Sequence, residues 1–259
     1  MDRKEYWNEK YTKYWKEVTD DANTEGIVSH VKKTTAGDFK AAGENVITKF
    51  FDMIVYEQEE KLLDYGCGFG RFFSYFNQKS DYYGIDISKA MIDKCKENYP
   101  DAESKFLVAE GEKLPFEDGF FEKIICYDVF DACYQEQALA EMFRVVAKNG
   151  IIVLTGKNNC YHFDDEQAYI AEEAARKKNH PNYFTDVKSM INQMNNFTKL
   201  EHERYYAYRG DFAQDKYLSQ MPERFYEWAL IVRKLENREW KFEKFSSDYS
   251  KTWKERQCL

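Results

Sequence analysis

Leu62-Leu63-Asp64-Tyr65-Gly66-Cys67-Gly68-Phe69-Gly70-Arg71-Phe72 decides how the rest of the chain is read. An apolar run ends in a carboxylate and is followed by three glycines at alternate positions. Without a Cβ, glycine lets the backbone turn tightly and come into contact with a ligand, and the amides that open the next helix face whatever lies there. The stretch therefore reads as the loop of a nucleotide-type cofactor. The dinucleotide fingerprint G-x-G-x-x-G needs a glycine where this chain has Arg71, and the pattern here is D-x-G-x-G-x-G instead.

Three further stretches follow in order. Tyr82-Tyr83-Gly84-Ile85-Asp86-Ile87-Ser88 reads as a second short strand ending in an acid placed to accept from two ribose hydroxyls. Dehydrogenases and methyltransferases share that feature. Phe106 to Phe116, with Leu114-Pro115-Phe116 at its end, then Asp118 to Cys126, and then Glu141 to Leu154 separate the two. With these motifs the chain resembles the class I S-adenosylmethionine-dependent methyltransferases, in particular their small-molecule branch, closely over about residues 40–157. That branch reads D-x-G-x-G-x-G, G-x-D, D-A-x-x-L-P-F, F-D-x-V and R-V-L-x-x-G-G. Here Glu110-Gly111 replace Asp-Ala, Glu122 replaces the Asp of F-D-x-V, and Asn149 replaces a Gly. These changes conserve charge or turn propensity.

The resemblance implies an α/β fold: a Rossmann-like, doubly wound, mostly parallel seven-stranded sheet with helices on both faces. Alternating strand and helix signals from Lys61 to Thr155 support it. One domain over 1–259 is expected, with an N-terminal helical lid (1–56), a cofactor core (57–157), a helical insertion after the fifth strand (158–183) and the last strands with a charged tail (184–259). The helix of the insertion, near Asp165 to Lys178, reads as too charged for a core.

The implied cofactor is S-adenosyl-L-methionine, with S-adenosyl-L-homocysteine as product. By the same resemblance Asp64 orients the loop or the amino-acid end of the cofactor, and Gly66, Cys67, Gly68 and Gly70 form the loop. Asp86 takes the ribose and Ile87 packs on the adenine. Glu110, Gly111 and Glu112 meet the adenine edge, while Cys126 and Tyr127 line the methionine side. A hydroxyl nucleophile loses a proton as it attacks, so Asp128, Asp131 and His162, all assigned to the C-terminal sheet edge, are candidate bases. Tyr11, Tyr14, Phe130, Tyr161 and Arg209 are candidate acceptor contacts. No metal is assigned, because the full spacing of a divalent-metal cluster is lacking.

Composition narrows the partners. A net charge of −8 on 259 residues disfavours nucleic acid, and the 43% hydrophobic content, 17% aromatic overall, is ample for a core. Six scattered cysteines without C-x-x-C form neither a zinc nor a disulfide pattern. No run approaches the roughly 20 apolar residues of a membrane span. The expectation is a cytoplasmic monomer or homodimer acting on a small molecule, a hydroxyl or amine, with sugars and surface-polysaccharide building blocks suggested by the Lys-, Asn-, Tyr- and Phe-rich composition. The alternatives are a non-catalytic cofactor-binding module and a nicotinamide oxidoreductase, the latter opposed by Arg71 and by Leu114-Pro115-Phe116.

Overall fold

Strands buried on both faces send alternate side chains into two cores, and the central strands do this throughout. In the computed structural model, which describes residues 3–11 and 44–248, β1 (Lys61–Tyr65) puts Leu63 and Tyr65 into one core and Leu62 into the other. β4 (Phe121–Cys126) and β5 (Val146–Lys157) divide likewise, with Ile124 and Leu154 opposed to Ile125 and Val153. Such strands need helices on both sides. Together with β2 (Asp81–Asp86), β3 (Phe106–Val108), β7 (Thr198–Tyr206) and β8 (Glu227–Lys234) they build a seven-stranded sheet in the order β3-β2-β1-β4-β5-β8-β7. Only β8 runs against the rest. This is the doubly wound, mostly parallel architecture expected.

One face carries α2 (Glu44–Phe51), α3 (Phe73–Phe76) and α4 (Lys89–Asn98), and the other α5 (Gln135–Val145) and α7 (Val187–Met194). Short polar side chains start several helices: Ser88 accepts from Met91 N (3.4 Å) and Asp186 from Ser189 N (2.9 Å). The N-terminal segment is a turn of helix, α1 (Arg3–Glu5), running into a π-helical turn, Tyr6–Tyr11.

The charged helix after β5, α6 (Glu166–Lys177), is capped by Asp165 and differs from its reading as a non-core helix: Ala168 and Glu172 are buried. Its Glu172 turns inward because a lysine waits there, as described below. β6 (Tyr183–Thr185) and β9 (Ser246–Asp248) pair in a small second sheet that the hydrophobic pattern does not reveal. The tail docks on the core as far as it is described: Trp240 stacks on Phe143 (4.0 Å between centroids) and Phe245 is buried. Cys67, Cys95, Cys126 and Cys133 are free and buried. Tyr14, Trp15, Tyr249, Trp253 and the side chain of Tyr11 lie outside the described residues.

Candidate active site

The glycine loop folds back on the neighbouring strand, since the amides of Gly66 and Cys67 both donate to Ile85 O (2.9 and 2.8 Å). Gly66 has φ +79°, and a Cβ there would lie 2.4 Å from Val129 Cγ2. Gly68 (φ +56°) faces open space, with no atom within 4 Å of where its Cβ would be. Asp86 clamps the loop, accepting from Gly68 N (3.0 Å) and Ser88 N (2.8 Å).

Together these elements bound a cavity of about 180 Å³. Of the residues expected to hold a cofactor, Asp64, Gly66, Cys67, Gly68, Asp86, Ile87, Gly111, Glu112 and Tyr127 line it, as does Asp128. Gly70 lies outside the lining, where Tyr99 packs 2.8 Å from its Cβ position. Cys126 is wholly buried in the core, and Glu110 lies off the lining with Lys4 3.4 Å away. Gly111 is glycine for a local reason: a Cβ would sit 1.7 Å from the Tyr65 hydroxyl.

The N-terminal helix brings Arg3, which the sequence did not single out, and Trp7 to the cavity wall. Arg3 forms a two-pronged ion pair with Glu112, Nη2 to Oε2 at 2.6 Å, and stacks over Tyr134. Tyr6 reaches His180 Nδ1 (3.0 Å), so the N-terminal helix is fastened at both ends of its turn. In the sequence the helix shows only as an aromatic stripe, Tyr6, Trp7, Tyr11, Tyr14 and Trp15, that suits either a packed face or a lid, and nothing marks Arg3.

Electrostatically the cavity favours a ligand with a positive end. Asp64 is buried and accepts from the Tyr82 hydroxyl (2.8 Å). Burial pushes its carboxyl up to about 7, against that hydrogen bond and with Asp86 adding repulsion. Burial likewise pushes Asp86 up to about 6, despite its amide donors. A cradle without Cβ at Gly68, a carboxylate for an ammonium at Asp64 and another for vicinal hydroxyls at Asp86 fit an adenosyl amino acid.

Beyond Asp128 lies a second polar group of residues at the ends of β5 and β8. Lys157 Nζ meets Glu172 Oε1 (3.0 Å), and Glu172 also accepts from Asn182 Nδ2 (2.5 Å) and from the Tyr226 hydroxyl. Tyr226 in turn receives Arg209 Nη1 (3.2 Å). Asp131 accepts the Lys157 amide (2.9 Å), and burial pushes it up to about 7. Glu227 lies opposite Lys157 in the β5–β8 register and is pushed up to about 7, by burial first and then by Asp128 and Asp131, with Lys157 and Arg209 opposing. Burial also raises Asp128, with Arg71 opposing.

The structure thus brings Asp128, Asp131 and Arg209 to one sheet edge and adds Lys157, Glu172, Tyr226 and Glu227, which the sequence did not single out. His162 stands apart, stacked on Tyr208 (4.6 Å) and off the cavity. Tyr161 packs on Phe184 and Tyr226, and Phe130 is fully buried against Trp228 and Phe245. Among the described residues no cluster of His, Cys, Asp and Glu is arranged to hold a metal, and no helix is long and apolar enough to cross a membrane.

Residues 63–154 match the family model of a methyltransferase domain. A ubiquinone/menaquinone biosynthesis C-methyltransferase from Campylobacter jejuni is 28% identical over 107 residues, 38% of this chain and 45% of that protein. The chain therefore spans less than half the length of that curated relative. Among solved structures, an S-adenosylmethionine-dependent methyltransferase from Thermotoga maritima, a possible histamine N-methyltransferase, superposes with a TM-score of 0.59 at 14% identity, covering 87% of this chain and 98% of that one. The [4+2]-cyclase SpnF reaches a TM-score of 0.59 at 12% identity over 89% of this chain and 96% of its own. At such identities the likeness is one of fold.

Fold and matched segment agree on the class: residues 63–154 match a methyltransferase domain, and the sheet that holds them has the fold of S-adenosylmethionine-dependent methyltransferases. The match runs from within β1 to within β5, so it holds the glycine loop, Asp86 and the strand leading to Asp128, and the cofactor of the class is S-adenosylmethionine.

Proposed function

We propose that this protein transfers a methyl group from S-adenosylmethionine to a small polar acceptor, an amine or a hydroxyl, held beyond Asp128. The observation that carries this reading is the position of Asp128, which lines the glycine-loop cavity and lies within electrostatic reach of Lys157 and Glu227. When bound, the cofactor supplies an electrophilic methyl on a sulfonium, so the protein's work is placement and water exclusion. Asp64 and Asp86 hold the two ends of the cofactor, and Arg3 and Trp7 close the cavity over it. Asp128 accepts a hydrogen bond from the acceptor and takes its proton.

Charge balance favours an amine. With Lys157 matched to Glu172, the carboxyls of Asp128, Asp131 and Glu227 outnumber Arg71 and Arg209 three to two once ionised, and since burial raises all three, that excess is reached only above about pH 7. A diphosphate-linked sugar would meet that excess with the wrong sign, whereas a protonated amine that sheds its proton to Asp128 or Glu227 meets it with the right one.

The test is release of S-adenosylhomocysteine against pooled amines, polyols and nucleotide-activated sugars, beside calorimetric binding of the same product. Release with an amine pool supports the reading. Tight binding with no release from any pool instead supports a non-catalytic cofactor-binding module, and saturable NAD binding without S-adenosylhomocysteine binding overturns both.

A further inference from the structure

At the opposite edge of the sheet from the glycine loop, the end of α5, the start of β5 and the segment after β8 enclose a cleft of about 710 Å³. Gly119, Ala140 and Ala147 keep its floor low. Arg144, Lys148, Lys234 and Arg238 outnumber Asp118, Glu141 and Glu239 in its lining, four to three. Arg144 bridges Glu141 (2.7 Å) and Asp118 (2.9 Å), and Glu239 pairs with Lys241 (2.6 Å). Lys148, Lys234 and Arg238 form no ion pair among the described residues, and Asp118 acts on Lys234 only from a distance, in a chain whose net charge is −8.

Lys234 carries the most weight, because its side chain is buried at 3% exposure. Its ammonium donates to Phe143 O and Val146 O (2.7 Å each), which uses two of three protons and supplies no opposing charge. On the same wall the indole N–H of Trp240, a residue 8% exposed, has no acceptor. A buried ammonium without an ion-pair partner and a buried indole N–H without an acceptor in one cleft are costly unless a ligand with several acceptor oxygens completes them.

We infer that this cleft is a second ligand site, for a small phosphate-bearing anion, spanned by Lys148, Lys234, Arg238 and the Trp240 N–H. Lys148 and Arg238 are exposed and meet the anion at the mouth, while Lys234 meets it at the floor.

The test is calorimetric titration of the full chain with pyrophosphate and with inorganic phosphate at fixed ionic strength, with the glycine-loop cavity saturated by S-adenosylhomocysteine. Saturable submillimolar pyrophosphate binding is expected. It should weaken at least tenfold in a Lys148→Gln/Arg238→Gln double variant, while S-adenosylhomocysteine affinity stays unchanged. Lys234→Met should abolish it, and because that variant risks misfolding, the surface pair decides. Absence of saturable binding up to 10 mM pyrophosphate, or equal binding by the double variant, overturns the assignment. Failure of S-adenosylhomocysteine to bind would instead count against the proposed function.

Discussion

With the cofactor held by Asp64 and Asp86 as proposed, its affinity is expected to depend on pH, with a sign opposite to that of the free protein's stability. Both carboxyls are held above their ordinary range by burial, Asp64 at about 7 and Asp86 at about 6. A ligand bringing an ammonium to one and hydroxyl donors to the other selects the ionised forms. If it binds only those, affinity scales with the product of the ionised fractions. From pH 8 to 5.5 that product falls about 100-fold, or ~2.8 kcal/mol at ~1.4 kcal/mol per decade. The folded, ligand-free chain, by contrast, keeps these protons to higher pH than the unfolded chain, whose carboxyls titrate near ~4. These two groups therefore make the free protein less stable as pH climbs from about 4 to 7. Calorimetry with S-adenosylhomocysteine from pH 5.5 to 8, with thermal melts with and without it, reads both slopes. Asp64→Asn should leave only the dependence due to Asp86, about 4-fold over the same range. A wild-type dissociation constant flat within about threefold would refute the reasoning, since it would mean that neither carboxylate changes protonation when the ligand enters.

Three other outcomes follow from the packing. Gly111→Ala pushes a methyl into the Tyr65 ring, 1.7 Å from its hydroxyl, and should cost about 1–3 kcal/mol in a urea melt while weakening S-adenosylhomocysteine binding. Lys157→Met leaves the buried Glu172 carboxylate its hydrogen bonds from Tyr226 and Asn182 and the more distant Arg209 but no direct ion pair, so a loss of about 3–5 kcal/mol is expected, largely recovered when Glu172→Gln is added. Arg3→Ala removes the ion pair that fastens the N-terminal helix over the cavity, and stopped-flow release of S-adenosylhomocysteine should quicken about 5- to 10-fold, with the melting temperature nearly unchanged; an unaltered off-rate would mean that the helix does not close the site.

What was legible in the sequence was local. Three glycines two apart and a carboxylate at a strand end specify a turn by their own sterics, and the turn specifies the cavity floor. Alternation of apolar runs with amphipathic ones specifies a parallel sheet. The parts that stayed hidden depend on partners far along the chain. Glu172 lies among charges on a helix that looks solvated, and it is buried only because Lys157, at the end of a strand, needs an anion. Arg3 becomes part of the cavity through Glu112, 109 residues away. The β6–β9 pair joins two three-residue strands too short to show a period.

The same distinction sorts the two aspartates that the spacing left equivalent. Asp131 gives an oxygen to the backbone N–H of Lys157, so it clasps the end of β5 and its acceptor capacity is partly spent. Asp128 holds φ +58°, a left-handed backbone that costs a non-glycine residue roughly 1 kcal/mol. Its amide is tied to Thr155 Oγ1 (3.0 Å), which fixes that conformation. The strained residue is also the one on the cavity wall, and strain at such a position is retained where it aims a side chain. Asp128→Asn should therefore lower turnover by about 10²- to 10⁴-fold with S-adenosylhomocysteine affinity preserved. Asp131→Asn, which removes a charge but can keep the clasp to Lys157, should act mainly on stability in the same melts. Equal losses of turnover in the two variants would show that the proton is shared across the acidic group and that the turn at Asp128 is only architectural.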